Sequence, residues 1–422
     1  SIIYIPIIKI HSYIKHNTAT QQQYNIAPLY ITTYLLMLGL AIVGCGQIVI
    51  HHLHEIQKLG SYEVRALCDP SDKRRDTIQE TLQPDDGRTI AHFDYLDDLI
   101  ADTSLFDTNI DVIFIAVPHD LHERLAMQAL ATNKIVVMEK PLAPTGSSCD
   151  KLVAVSKSLL LSSSSAAGTA DDNHNDTAAA AAAAGMLIIA EQSPYWQEVV
   201  KARELIVDGA IGTIVSAAGY YYESMRDNVT SGDVSDDGGL GWRGSLERAG
   251  GGIAIDGGLH WIRPLREMCG SRITDVVGVM RPNLAPALQM EGETLAHALF
   301  QMDTSKVEAL EQPAGAGPLV ATYSCNMLAT APMAHDTCPY FRLTGTKGEI
   351  VIHGDGLYKE QPGAGGLRLY DAQHPNGREL FSNDRLGGFF LGFQGLWQEV
   401  HRITMEKDRA AAHETVVRAA DD

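Results

Sequence analysis

Residues 38–50 read LGLAIVGCGQIVI, and the order of their parts decides how the rest of the chain is to be folded. The first six are aliphatic or small with no polar residue among them, the pattern of a strand buried on both faces. Gly44 and Gly46 then bracket Cys45, and QIVI opens a helical stretch. A strand that passes through a glycine turn into a helix leaves the amides of the first helical turn pointing at the turn, where a pyrophosphate can approach closely. Gly44, Gly46, Gln47 and Ile48 are therefore the first candidate cofactor contacts. Val49 stands where the usual GxGxxG has its third glycine.

Outward from this stretch, YEVRALC (62–68), DVIFIAV (111–117), KIVVME (134–139) and MLIIAE (186–191) repeat the continuous apolar texture. Between them lie segments such as SDKRRDTIQETL and LHERLAMQALATN, whose apolar residues recur every three or four positions. Repeated β-α-β units predict a parallel, doubly wound sheet with right-handed crossovers. Ligands gather at the carboxyl ends of such strands, which singles out three further segments. Asp69 ends the second run, 25 residues after Gly44, where an acid accepts hydrogen bonds from a ribose hydroxyl pair. Lys73, Arg74 and Arg75 follow, either within reach of a 2′-phosphate or as a solvated helix face, so NAD and NADP both stay open with a slight lean to NAD. AVPHDLH (116–122), with Pro118 and His122, and MEKPLAP (138–144), with Glu139 and Lys140, line the same crevice. Lys140, held on a turn by Pro141, either serves the chemistry or forms an ion pair with Glu139 or an acid of a second domain.

After Pro194 the texture changes to a helix (WQEVVKARELIVDG), the strand-like TIVSAAGYYYES, a glycine-rich segment from Gly238 to Gly258, and a helix carrying Asp256, His260 and Leu265. Alternating runs such as ITDVVGVM, TLAHALFQM, LVATYSCNML and YFRLTGTKGEIVIHG then predict an antiparallel meander with one wet and one covered face. Two helical stretches close the chain, which stops on two acids in mid-pattern and is expected to continue past Asp422. In AGGGIAIDGGLHW (249–261), Asp256 and His260 are four apart, so on a helix they share a face. An Asp beside an imidazole raises its basicity, although such a pair is also a common helix contact.

The expected organisation is a non-domain extension over 1–36, a dinucleotide-binding domain over 37–192 and a substrate-binding and oligomerisation domain over 193–422. A low-complexity insertion of about 162–185 interrupts the first domain and reads as disordered or half-helical. The extension contains neither Asp, Glu nor Arg, and Met37 is a natural start. From Leu29 to Ile50 no residue is charged, yet a buried strand entering a glycine turn explains this better than a membrane span. The 422 residues carry 33 basic and 52 acidic side chains, a net charge of −19 that repels phosphate backbones and anionic lipid, so no nucleic acid or membrane partner is expected. Cys45, Cys68, Cys149, Cys269, Cys325 and Cys338 form no CxxC pair, which suits buried thiols in a reducing, cytoplasmic compartment and points to no metal site. Asp171, Asp172 and Asp176 lack calcium-loop spacing. His51, His52 and His54 read as a polar helix surface, His119 and His122 as a loop beside the cofactor, and Asn228 heads a glycosylation sequon that is irrelevant in the cytosol. An apolar outer sheet face suits self-association as a homodimer or homotetramer.

The glycine turn, the acid after the second strand, AVPHDLH, the EKP tripeptide and the GGGxxxDxGxH-like run, with Trp242 and Arg243 upstream, resemble the glucose-fructose oxidoreductase, inositol dehydrogenase and rhizopine catabolism (Gfo/Idh/MocA) family. The resemblance implies a Rossmann domain joined to an α+β domain with a large, mostly antiparallel sheet. It also implies NAD(P)-dependent oxidation of a sugar, cyclitol or related alcohol, or reduction of the ketone. Carried over by motif, Lys140 is the EKP lysine, and Asp256 and His260 are the acid and histidine of a substrate pocket that Trp242 and Arg243 help to line. Lys140 would then hydrogen-bond the reacting oxygen, His260 would accept the proton and Asp256 would orient it or bind a neighbouring hydroxyl, with Lys140 as the alternative base. Arg263 replaces an acid common in the family and is expected to pair with a surface carboxylate, or else to bind an acidic substrate. A catalytically silent NAD(P)-binding sensor and an NAD-dependent glycosidase-like enzyme are the rival functions within this resemblance.

Overall fold

All six residues of β1 (Leu38–Val43) are buried, because the strand is paired on both edges and covered on both faces. The computed structural model describes residues 37–82, 89–167, 185–223, 240–270, 272–285, 288–303, 317–329, 340–354, 365–383 and 388–422. The extension 1–36, residues 168–184 of the insertion with its three acids, Arg226, Asn228 and Cys338 lie outside the described residues. With β1 run β2 (Tyr62–Cys68), β3 (Ala91–Phe93), β4 (Val112–Ile115), β5 (Ile135–Glu139) and β6 (Met186–Ala190), all parallel and in the order β3-β2-β1-β4-β5-β6. This is the order of a Rossmann sheet, whose direction of winding reverses between β1 and β4. The crossovers are α1 (Gln47–Leu59), α2 (Asp72–Leu82), the pair α3 (Leu96–Ala101) and α4 (Thr103–Asn109), α5 (His122–Leu130) and α6 (Gly146–Ala167). α6 runs six residues into the serine-rich start of the insertion, since extending an existing helix needs no new nucleus.

After α7 (Gln197–Val207), a second sheet of eight strands forms from β7 (Ile214–Tyr222), β8 (Arg272–Pro282), β9 (Glu293–Asp303), β10 (Leu319–Asn326), β11 (Phe341–Gly345), β12 (Gly348–Gly354), β13 (Gly365–Asp371) and β14 (Arg378–Asn383). Its order is β14-β13-β12-β11-β7-β10-β9-β8. The pattern is antiparallel, as expected, except that β7 and β10 pair in parallel at the centre. Between β7 and β8 the chain forms α8 (Leu246–Ala249) and α9 (Leu259–Cys269), and α9 covers the inner sheet face. Trp261 of α9 is fully buried and stacks on Tyr221 of β7 at 4.2 Å between ring centroids. Truncating a ring so placed costs about 3–5 kcal/mol. The cover does not reach β8, whose Val276, Val277, Val279 and Met280 are 60%, 72%, 67% and 65% exposed at the sheet edge.

The final helices, α10 (Gly388–Glu406) and α11 (Arg409–Asp421), return to the first sheet: α10 packs on α1, and α11 on α6 and β6. His52 of α1 is consequently fully buried, which corrects its reading as part of a polar helix surface. Its ring lies 4.6 Å from those of Phe114 and Phe393. The indole of Trp397 can only donate, and its Nε1–H points at His52 Nδ1 at 2.9 Å. The imidazole proton is therefore on Nε2, which donates to Glu139 Oε1 at 2.7 Å. No helix among the described residues is long and apolar enough to cross a membrane. Trp397→Phe keeps an aromatic ring, though a smaller one, and removes the donor, leaving a buried acceptor unpaired. The expected loss is about 1–3 kcal/mol in chemical denaturation, and an unchanged midpoint would show that the contact does not hold α10 in place.

Candidate active site

The glycine turn has the shape its sequence requires. Gly44 sits at φ +91°, and a Cβ there would lie 2.2 Å from the Ala116 carbonyl oxygen, so the turn passes directly over the end of β4. Gly46 is the N-cap of α1, with no side chain capping the helix and no acid in its first turn. A Cβ on Gly46 would meet nothing within 4 Å, so the space before the helix amino terminus is open to a phosphate. Val49 is fully buried in the core, where it takes the third glycine's place without entering that space. Gln47 is exposed and Ile48 half-buried.

Asp69 is buried and ties the end of β2 to the turn: Oδ2 accepts from Cys45 N at 2.9 Å and Oδ1 from Ser71 N at 2.9 Å. Lys73 and Arg74 are exposed, with Arg74 Nη1 4.0 Å from Asp69 Oδ2. Arg75 departs from the solvated-face reading: it is buried and donates to the Asp69 and Phe93 carbonyls and to Asp72 and Asp94.

Along the crevice, Pro118 precedes a turn that carries His119 and His122. Both histidines are buried. His122 lies between two carbonyl oxygens, Pro141 O at 2.7 Å from Nδ1 and Val117 O at 3.0 Å from Nε2, and burial lowers its pKa. His119 Nδ1 is 2.9 Å from Ala249 O, and burial outweighs the nearby Asp256 charge to bring its pKa down to about 3. The polar atoms of His122 and the Glu139 oxygen bound by His52 thus serve contacts within the protein.

Lys140 takes the ion pair with an acid beyond the first sheet: Nζ donates to Asp256 O at 2.8 Å and to Oδ1 at 3.1 Å. The other oxygen, Oδ2, accepts from Arg243 Nε at 2.9 Å. The Arg243 guanidinium lies 4.5 Å over the Trp242 ring, and Trp242 meets His119 edge-on at 4.5 Å. Burial opposes the charge on Asp256, but Arg243 and Lys140 prevail and hold its carboxyl well below the usual range. The loop carrying Asp256 is fixed by Glu293 at the start of β9, whose carboxylate accepts from Gly252 N at 2.8 Å and Ala254 N at 3.0 Å, and whose carbonyl accepts from Ile253 N at 2.9 Å.

Asp256 and His260 do not share a helical face. Residues 253–258 form turns, Gly258 caps α9, and only His260 lies within the helix. The expectation that Asp256 orients His260 is thereby corrected. Both Asp256 oxygens serve cations, and His260 Nδ1 instead meets Glu191 Oε1 at 2.9 Å. That same oxygen accepts from Ser193 N at 2.8 Å. Burial pushes Glu191 up, yet the His260 charge and these hydrogen bonds outweigh it and hold its pKa at about 2. The sequence carries a signal for Glu191, because it follows β6 at the carboxyl edge of the sheet, where ligands of such folds gather. Arg263 pairs with Asp422, a carboxylate that proves buried instead of exposed. Among the described residues, no three His, Cys, Asp or Glu side chains converge as metal ligands would.

The chain matches the family described as "Oxidoreductase family, NAD-binding Rossmann fold" over residues 38–164 and the "GFO/IDH/MocA C-terminal domain" over residues 199–351. It is similar to inositol 2-dehydrogenase of Salmonella typhimurium, 34% identical over 121 residues that make up 28% of this chain and 33% of that protein. A D-xylose 1-dehydrogenase (NADP(+)) of Hypocrea jecorina is 27% identical over 154 residues, 36% of this chain and 32% of that protein. The matches therefore span about a third of these curated relatives. The fold is similar to that of an aldose-aldose oxidoreductase from Caulobacter crescentus complexed with glycerol, with a TM-score of 0.61 at 18% identity, covering 91% of this chain and 95% of that one.

His119 stays neutral in the folded protein down to about pH 3, whereas an unfolded imidazole takes up its proton near pH 6.5. Stability is present above pH 6.5 and is lost as pH falls toward 3, because the unfolded state binds the extra proton. Between pH 6.5 and 4.5 His119 accounts for roughly 2–3 kcal/mol of that loss. Denaturant titrations at the two pH values should show the loss reduced by this amount in His119→Gln; equal losses in both proteins would refute it.

Proposed function

Because the chain belongs to the Gfo/Idh/MocA oxidoreductase family, we propose that it is an NAD(P)-dependent dehydrogenase or reductase that moves a hydride between the nicotinamide and a carbon of a sugar, cyclitol or related secondary alcohol or ketone. The observation that carries the reading is Lys140, held by Asp256 at the sheet edge where the uncapped amino terminus of α1 also opens. The names of the relatives, an inositol and a xylose dehydrogenase, support the substrate class. NAD or NADP, when bound, supplies the hydride acceptor or donor. The residues present fit it: the amides of Gly46, Gln47 and Ile48 would hold the phosphates in the open space beside Gly46, and Asp69, at the end of β2, would accept from ribose hydroxyls. Asp69 favours NAD, while exposed Lys73 and Arg74 leave NADP acceptable. Pro118 and Lys140 complete the wall, and His122 and Glu139 brace it from behind through their internal hydrogen bonds.

Lys140 donates a hydrogen bond to the reacting oxygen and stabilises its developing negative charge. Asp256 aims the ammonium, and Arg243 steadies Asp256 while Trp242 and Arg243 line the substrate side. His260, with Glu191 on Nδ1, takes the hydroxyl proton at Nε2 in oxidation and returns it in reduction. The five cysteines among the described residues are free thiols, which supports a reducing setting. The uncovered apolar edge at β8 supports a homodimer or homotetramer.

Fluorescence titration with NADH and NADPH should show saturable binding. In a polyol turnover screen, Lys140→Ala and His260→Ala should each lower kcat by ~10² or more; near-wild-type turnover by both variants sinks the proposal. Light scattering should report a dimer or tetramer that Val277→Lys with Val279→Lys dissociates, and a wild-type monomer would remove the association reading.

A further inference from the structure

Glu191 is a buried carboxylate that the family resemblance did not assign. Ala190 is in register with Glu139, so Glu191 and Lys140 leave neighbouring parallel strands side by side. Oε1 of Glu191 is fixed by the Ser193 amide at 2.8 Å and faces His260 Nδ1 at 2.9 Å, with Glu191 5% and His260 7% exposed. Its second oxygen, Oε2, is buried with no hydrogen-bond partner among the described residues. An acid so placed costs stability, and an apolar residue would satisfy packing at lower cost. The arrangement is therefore explained by what the charge does to the imidazole.

We propose that Glu191 is a positioning residue that fixes the His260 proton on Nδ1 and favours the charged ring formed when Nε2 accepts the substrate's proton. The inference rests on the reading of His260 as the proton acceptor. An ionised carboxylate can only accept hydrogen bonds, so the nitrogen facing it carries the proton, and the neutral ring's lone pair is on Nε2. When the substrate hydroxyl gives up its proton, that proton goes to Nε2 and none moves to Glu191. The imidazolium then forms against an opposite charge in a site that excludes water, where the interaction is strong.

The other charged groups around α9 have partners of their own. Asp256 is held by Lys140 and Arg243, Arg263 by Asp422 with the Glu191 charge also felt by its guanidinium, Arg203 of α7 by Glu267, and Glu223 at the end of β7 accepts from the Tyr221 hydroxyl. Glu198 is buried on α7.

Histidine-selective nitrogen-15 NMR on the full chain without cofactor, with the His260 signals assigned by their loss in His260→Gln, reads the pair directly. The expected result is an Nδ1–H tautomer in the wild type and a His260 titration midpoint lowered by one pH unit or more in Glu191→Gln. The acidic limb of kcat/KM for alcohol oxidation should move by the same amount, with cofactor affinity unchanged. A wild-type ring protonated on Nε2, or a titration midpoint that Glu191→Gln leaves in place, overturns the proposal. Should Glu191→Gln not fold, the wild-type tautomer decides alone. Coupling observed together with full turnover by His260→Gln upholds the Glu191 pairing and overturns only the proton-acceptor reading on which it was built.

Discussion

A parallel sheet delivers the carboxyl ends of all its strands to one edge, and most of the candidate site follows from that single constraint. Gly44, Asp69, Pro118, Lys140 and Glu191 are spread over nearly 150 positions, yet each follows a different strand of one six-stranded sheet. The second sheet has no such common edge. It contributes through a glycine-rich loop that Glu293 clamps by three successive amides, and this loop brings Asp256 to Lys140 while α9 brings His260 to Glu191.

Charges in this crevice are satisfied in sets, which decides which residue can serve which. Asp256 has two carboxylate oxygens, one facing Lys140 and the other Arg243, both cations, whereas His260 Nδ1 is turned to Glu191. The imidazole is met by a second carboxylate from the first sheet. Removing one member of a buried pair strands its partner's charge, a far larger penalty than the pair's net worth. Glu139, His52 and Trp397 show the same economy at the back of the wall, where an indole donor determines which imidazole nitrogen faces the acid.

How much of this could be read from the residues depended on whether a feature was local. Continuous apolar runs revealed β1, β2, β4, β5 and β6, whereas the three residues of β3 are too few to show a period. Strands β8 to β12 were legible by alternation and β14 was not, while the parallel pairing of β7 with β10 is set by long-range topology that no local pattern records. The segments that converge at Lys140 were all identified. Their partners were misjudged where spacing was read as helical: Gly257 and Gly258 break the chain before α9, and a four-residue interval means nothing in a turn. His52 looked like surface because its neighbours are polar, and the ring that buries it lies 345 residues away.

That distance also bears on how the chain can be made. The Rossmann sheet comes from the first half of the described chain, yet Trp397 and Phe393 seal one of its faces, and the Thr415 hydroxyl accepts the Ile189 amide from 226 residues away. On the ribosome, strands β1 to β6 emerge well before the helices that cover them. Until those helices arrive, His52 and Phe114 lie beneath an unfinished cover, a condition in which nascent chains associate wrongly. Closure by such remote segments raises the contact order, which slows folding, so the sheet of β1 to β6 depends for its completion on helices synthesised long after its own strands.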